Sequence, residues 1–326
     1  MTSRFKRFFI KSLVLASCLL ILAGCSGITD SARGNMGGAY VDEEIKEEDK
    51  ALLKDYSWTP LSLINTLEKS LPEDFIHEPG EFPVALYWAY NNELNKDIGL
   101  DLTPHLVEVV QINLYEIAEL LPDFMEPRRE YGRAVIVRYQ GDIIGAWLDA
   151  GRHDAFACSL KGKQRKDITG KEWGEWVGCI IDEQDPKEKE LARLSPEELI
   201  NEYYQALDRG DHERVYALES RCKMRSYLFA NIKDKEIYNR SFEDAYPDGF
   251  KNITSAKVSD IVPLENQDEL ECDDASGQKE LRYRVDVDLE VKKSITYDSG
   301  PQTRFIVLVE ETPETGWRVK EVGTGP

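Results

Sequence analysis

The stretch 281–291 constrains the fold of this chain more than any other feature of its sequence. Every odd-numbered position in it is apolar and every even-numbered position is charged. Because successive side chains of a strand point to opposite faces, this alternation predicts a strand with one buried face and one face in water. Asp286 and Asp288 lie on the wet face, so they are poor candidates for a desolvated catalytic base.

Further segments with a period of two follow Gly249, separated by turns rich in Gly, Pro and Asp. Strands are predicted over 253–264, 281–291, 304–310 and 317–322. The segment 304–310 is apolar on both sides, with Phe305, Val307 and Val309 opposite Ile306 and Leu308. It is therefore predicted to lie centrally in an antiparallel sheet and to be covered on both faces.

Helix signals precede this sheet. Ser195 is a predicted N-cap, Pro196 takes the first helical position and Glu198 completes a capping box. Gly210 ends that helix and Asp211 caps a second one. A third helix is predicted over 224–230. Residues 195–326 are thus predicted to form three helices followed by an antiparallel sheet.

This order resembles the NTF2-like (SnoaL-like) superfamily over residues 195–326. The resemblance is carried by the pattern Leu199-Ile200-x-x-Tyr203-Tyr204-x-Ala206-Leu207-x-x-Gly210-Asp211-x-x-x-Val215-Tyr216-x-Leu218. It implies a cone of three helices on a curved sheet, and members include isomerases, dehydratases and cyclases as well as non-catalytic binders. Such a cone could hold a small apolar ligand, with core packing as the alternative role for each candidate lining residue, Tyr203, Tyr204 and Trp317. The charged face of 281–291 disfavours the sheet-to-sheet dimer common in that superfamily, so we expect a monomer.

Residues 55–182 are predicted to form a first, small α+β domain with an antiparallel sheet. Leu61, Ile64 and Leu67 suggest a short helix that ends before Pro72, and Pro83 is expected to open a second helix with an aromatic core face. Strands are predicted at 110–114, 133–139 and 143–148, the last two joined by a tight turn at Gly141. A capping box at 169–172 predicts a helix that carries two tryptophans.

The most site-like stretch of the first domain is 149–154, which leads to Cys158. A Cys/His/Asp grouping such as Cys158, His153 and Asp154 can build a thiolate nucleophile, because an imidazolium lowers the thiol pKa. The alternative is a structural loop with a buried or disulfide-bonded cysteine. The spacing of these residues is unlike that of a zinc site, and we predict no catalytic, cofactor or metal residue.

The N-terminus carries a targeting signal. Four basic residues precede the apolar run 12–23, which is too short to cross a bilayer, and the run ends in Leu22-Ala23-Gly24-Cys25. That ending resembles the lipobox of bacterial lipoproteins, and together with the NTF2-like pattern it makes the whole chain resemble an uncharacterised Gram-positive-type lipoprotein family that carries such a domain. The resemblance implies cleavage before Cys25 and a diacylglyceryl group on its thiol, which would anchor the chain to the extracytoplasmic face of the cell membrane.

The chain is predicted to comprise five parts. They are a signal peptide (1–24), an acidic flexible tether (25–54), the first domain (55–182), a charged linker (183–194) and the NTF2-like domain (195–326). An acidic cluster at 42–44 and the acidic loop 265–274 could be read as cation sites, but solvated spacer and loop are the expected roles.

Charge excludes one class of partner. The chain has 41 Lys and Arg against 61 Asp and Glu, and loss of the signal peptide leaves a net charge of −24. A polyanion of this size repels nucleic acid and anionic lipid headgroups, so neither is expected to bind the body.

Four cysteines remain after the signal peptide and the lipidated Cys25 are set aside. Outside the cytosol, two cysteines per domain favour the disulfides Cys158–Cys179 and Cys222–Cys272, although four reduced buried cysteines fit the sequence as well.

The sequence as a whole favours a membrane-anchored, non-catalytic module that binds an envelope protein or a small apolar ligand. The alternative is an enzyme of the cone type (isomerase or hydrolase) or a Cys158/His153 thiol enzyme.

Overall fold

A computed structural model gives an α+β protein with two antiparallel four-stranded sheets. It describes residues 44–81, 84–125, 129, 132–150, 156–223, 250–264, 279–294 and 298–325. The predicted signal peptide, the lipobox with Cys25, residues 42–43 of the acidic cluster, the loop 265–274 and the predicted helix 224–230 lie outside the described residues, whereas Glu44 is described and exposed. Tyr40–Pro326 forms one compact unit.

The first sheet has the order β1-β2-β3-β4 and helices on both faces. Its strands are β1 (Pro60–Ser70), β2 (Val109–Ile117), β3 (Arg133–Tyr139) and β4 (Asp142–Asp149). Helix α1 (Glu47–Asp55) covers one face through Leu53, and helix α2 (Val84–Lys96) covers the other through Trp88 and its neighbours. The predicted hairpin turn is present, with Gln140 and Gly141 at positive φ.

The predicted helix at Leu61, Ile64 and Leu67 is wrong, because these residues belong to β1. A register shift between Leu63 and Asn65 marks a bulge in the pairing of β1 with β2. The extra residue moves Leu63 and Leu67 to opposite faces of the sheet, although their spacing is even. Ile64 and Leu67, three residues apart, pack against the same core, whereas Leu61 is exposed. A spacing of three is typical of a helix, which is why the sequence pattern indicated one.

The folded body begins earlier than the predicted boundary at residue 55. Helix α1 lies within the stretch predicted as tether, and its Asp49 is fully buried. The Asp49 carboxylate accepts hydrogen bonds from Tyr115 Oη at 2.5 Å, Asn113 Nδ2 at 3.0 Å and Arg138 Nε at 2.8 Å. Helix α1 is held on the sheet by a buried polar residue, so its sequence has little of the apolar periodicity that predicts a helix. Its acidic composition is instead typical of a flexible spacer.

Short helices connect the two sheets. They are α3 (Arg165–Thr169), α4 (Trp173–Val177) and α5 (Pro186–Leu191). The capping box of α4 uses Glu172 and Glu175, whereas Thr169, predicted as the cap, lies at the end of α3. Helix α5 occupies the predicted linker, is capped by Asp185 and buries Leu191.

The second sheet has the order β5-β6-β7-β8 and follows helices α6 (Pro196–Arg209) and α7 (His212–Leu218). Its strands are β5 (Ile253–Pro263), β6 (Glu280–Val291), β7 (Gly300–Glu310) and β8 (Trp317–Gly323). The Ser195 capping box, the left-handed Gly210 (φ 67°) and the Asp211 cap are all present as predicted. Helix α6 packs against β5 and β8.

The two inner strands of the second sheet differ in how well they match the prediction. Strand β6 alternates as expected, with Val285 and Val287 buried and Asp288 exposed. Strand β7 is central, as predicted, and one of its faces is more completely covered than the other. Ile306 and Leu308 are buried; on the opposite face Val309 is buried, whereas Phe305 and Val307 are half-buried.

Candidate functional site

The tyrosines predicted to line a pocket lie in the core of the second half. Tyr203 and Tyr204 are buried, and their rings meet edge to face at 5.5 Å. The Tyr203 hydroxyl donates to Glu219 Oε1 at 3.5 Å. Trp317 is half-buried at the start of β8, with Lys279 Nζ 5.0 Å from its ring centre. These contacts describe packing rather than an open ligand cavity.

Cys158 lies in a position unsuited to nucleophilic chemistry. It is fully buried, pairs with Leu148 through two backbone hydrogen bonds and has Met125 Sδ 3.7 Å from its Sγ. Burial, together with the charge of Asp149, raises the pKa of the Cys158 thiol far above its ordinary value. Its predicted partners His153 and Asp154 lie outside the described residues.

The predicted disulfide between Cys158 and Cys179 is not formed, and both thiols are free. Cys158 packs in the core beneath α1, whereas Cys179 follows α4 at the surface, where its Sγ lies 2.9 Å from Lys171 Nζ. The two cysteines thus belong to different layers of the first half. The pairing of Cys222 with Cys272 stays a prediction, because Cys272 lies outside the described residues.

A buried ion network lies at the junction of the two halves, and the sequence analysis missed it. It is centred on Arg221, which pairs with Glu188 of α5 and, at 2.8 Å, with Glu311 after β7. Glu188 also binds Arg318 of β8 at 2.7 Å. All four side chains are at most 2% exposed. The two positive and two negative charges balance, as burial requires.

His77 connects this network to the first half. Its Nδ1 accepts a hydrogen bond from Arg221 Nε at 3.1 Å, and its backbone N–H donates to the Ile180 carbonyl at 2.7 Å. The geometry places the ring proton on Nε2, because Nδ1 is the acceptor. Burial, and then the charge of Arg221, lower the pKa of His77 well below its ordinary value.

The backbone around this network is closely packed. Gly80 has φ +90°, and a Cβ there would lie 2.9 Å from the Glu213 carbonyl oxygen of α7. The apolar core of the first half also includes Tyr216 of α7, whose ring meets Phe250 at 5.3 Å. The junction is therefore continuous with the core, which explains why the two sheets belong to one compact unit.

A cleft of about 550 Å³ opens at the same junction. One wall is formed by residues 172–175 and Gly178 of the first half, and the other by residues 310–314 and Lys279 of the second half. Its lining includes five glutamates, Glu172, Glu175, Glu310, Glu311 and Glu314. Glu311 lines the cleft and also holds Arg221, so the cleft is built directly on the ion network.

No single stretch of sequence signals this arrangement. Arg221 lies 144 residues from His77 and 90 from Glu311, and Arg318 lies 130 residues from Glu188. Glu188 stands in a charged stretch that is typical of a solvated linker. Only the three-dimensional fold brings these groups together.

Over the residues that the structure describes, no helix is long and apolar enough to cross a bilayer. The same residues contain no group of three or more His, Cys, Asp or Glu side chains arranged to hold a metal ion.

Comparison with protein families assigns each sheet to a separate match. Residues 52–148 match a family described as a domain of unknown function (DUF4830), and residues 197–323 match a second one (DUF4829). Searches of curated proteins and of solved structures both gave no significant match. The chain is thus similar to two uncharacterised domain families, one over each half.

Proposed function

We propose that this chain is a lipid-anchored extracytoplasmic protein whose body acts as a non-catalytic binding module. The observation that carries the binding role is the cleft between the halves. Its two walls come from different sheets, so a ligand seated there would contact both halves at once. Concave sites of this kind, formed where two units meet, are common places for ligands.

The arrangement of the candidate catalytic groups supports binding over the enzymatic alternative. A thiol nucleophile must be accessible and have a lowered pKa, whereas Cys158 is fully buried and its pKa is raised. Tyr203 and Tyr204, the candidates for a cone-type site, are packed against each other in the core.

The proposed anchor is the Cys25 thiol. Its support is the sequence alone, namely the basic residues, the apolar run and Leu22-Ala23-Gly24-Cys25. Metabolic labelling with a fatty-acid probe tests it. We expect the wild-type chain to take up label and to fractionate with membranes, and a Cys25→Ser variant to do neither. Absence of label from both forms would refute the anchor.

We also propose that the second half is an NTF2-like domain. Its support is the order of capped helices α6 and α7 before four antiparallel strands, with α6 packed on β5 and β8. An experimental structure that includes residues 224–249 tests this assignment. A third helix that closes a cone over the sheet is the expected result, and an extended segment there would refute it.

Capture of a partner from native membranes tests the binding role. We expect an envelope component to co-purify with the wild-type chain and to be lost when the cleft charge is reversed by Glu310→Lys with Glu314→Lys. The matched control is Asp288→Lys with Glu290→Lys, which makes the same change of charge on the exposed face of β6. Equal capture by the two double variants would exclude the cleft as the site.

A further inference from the structure

We propose that His77 is a pH-sensitive latch between the two halves, in which proton uptake at Nδ1 replaces the hydrogen bond from Arg221 with a contact between two cations. The latch stands independently of the lipid anchor, because all of its groups belong to the described body. It extends the proposed function, because protonation of His77 would control the contact between the halves beneath the cleft.

The geometry leaves one place for the added proton. Nε2 already carries the ring hydrogen, and Nδ1 is occupied as the acceptor of the Arg221 Nε–H at 3.1 Å. A proton on Nδ1 would point at a donor, so the hydrogen bond would be lost and two positive charges would face each other. The ring is 1% exposed, so water cannot readily screen this contact.

The two buried carboxylates that contact Arg221 are already paired. Glu188 and Glu311 are already engaged by Arg221 and Arg318, so the four charges balance without His77. On the segment of His77 itself, the Glu81 backbone interacts with the ring and opposes the lowering of its pKa, and the carboxylates of Asp74, Glu78 and Glu81 act on one another. From α7, Glu213 faces Gly80 and pairs with Lys187 of α5 at 2.6 Å.

Loss of the latch would act on the contact between the halves. His77 is held to the first half through the Ile180 carbonyl, whereas Arg221 and Glu311 belong to the second half. Repulsion at this point therefore favours separation of segment 71–81 from the helical residues 221–223. Glu311 lines the cleft, so movement of Arg221 would also change the floor of the cleft.

The sign of the pH effect follows from the direction of the pKa shift. An unfolded chain binds a proton on histidine near pH 6.5, whereas folded His77 resists protonation. Stability is therefore complete above pH 6.5 and falls as the pH drops below it, until the lowered pKa of the folded state is reached. One such histidine multiplies the unfolding equilibrium constant by about tenfold between pH 7.5 and pH 5.5.

Urea unfolding of residues 26–326, which contain the whole compact unit, tests the latch through His77→Asn. The asparagine amide oxygen can replace Nδ1 as the acceptor but cannot take up a proton. Between pH 7.5 and pH 5.5, the unfolding constant of the wild type should rise about ten times more than that of the variant. His105→Asn is the matched control, because His105 is half-buried away from the network, and it should retain the wild-type change.

A measurement on the wild type keeps the test valid if the variant folds poorly. Nuclear magnetic resonance of the histidine rings should show His77 as the neutral Nε2–H form at pH 5.5, with hydrogen-exchange protection of segment 71–81 falling as the ring begins to titrate at lower pH. A His77 ring that titrates near pH 6.5, or a His77→Asn variant with the full wild-type pH change, would overturn the proposal.

Discussion

Single buried polar residues determine where this body begins and how its parts are joined. Asp49 ties the first helix to the middle of the first sheet, and Arg221 ties the end of α7 to both α5 and β7. Such side chains are buried only because their partners neutralise them, so removal of one partner leaves the other charge without compensation. Their substitution should therefore have large effects.

Asp49→Ala should lower the free energy of unfolding by roughly 3 kcal/mol or more, because Arg138 would keep its charge in a buried site. Glu47→Ala, a change on the same helix at a side chain that is 80% exposed, should cost less than about 0.5 kcal/mol. Urea unfolding measures both. Equal effects would mean that α1 does not dock on the sheet and that the tether extends to residue 55 after all.

The cysteines should differ sharply in reactivity. Iodoacetamide should modify Cys179, which is exposed beside Lys171, and leave Cys158 unmodified in the native protein, because its thiol is buried and its pKa is raised. Peptide mass mapping after brief alkylation makes the comparison. Rapid modification of Cys158 in folded protein would restore the thiol-enzyme alternative.

At the scale of elements, local signals determined how well the sequence predicted the structure. The Ser195 capping box, Gly210 after α6 and the alternation in β6 are short-range patterns. Each is present in the structure as predicted. Strand β1 was misassigned because a bulge changes its period, and α1 and α5 were missed because they are short and charged. The ion network could not be predicted, since its members are distant in the sequence.

Ser195→Ala tests whether local capping contributes to the second half. The serine hydroxyl accepts a hydrogen bond from the Glu198 backbone N–H at 3.4 Å, and the Glu198 carboxylate accepts one from the Ser195 backbone N–H at 2.9 Å. Loss of this cap should lower the free energy of unfolding by about 1 kcal/mol. Ser70→Ala, at the exposed end of β1, is the control and should have little effect. The same small effect for both variants would show that the cap is dispensable.

At the scale of the whole molecule, the two regions that match separate families lie in one compact structural unit. The two family matches correspond to the two sheets, yet the chain from Tyr40 to Pro326 forms one compact unit. Tyr216 belongs to the core of the first half, and the ion network draws on α5, β8 and the segment of His77. The cleft depends on this union, because each half supplies only one wall.

Scanning calorimetry of residues 26–326 at pH 7.5 tests this union most directly. If the halves share a core and a buried ion network, they unfold together, and the calorimetric enthalpy equals the van't Hoff enthalpy in one transition. Two separate transitions would contradict the account, because the walls of the cleft would then belong to bodies that fold independently.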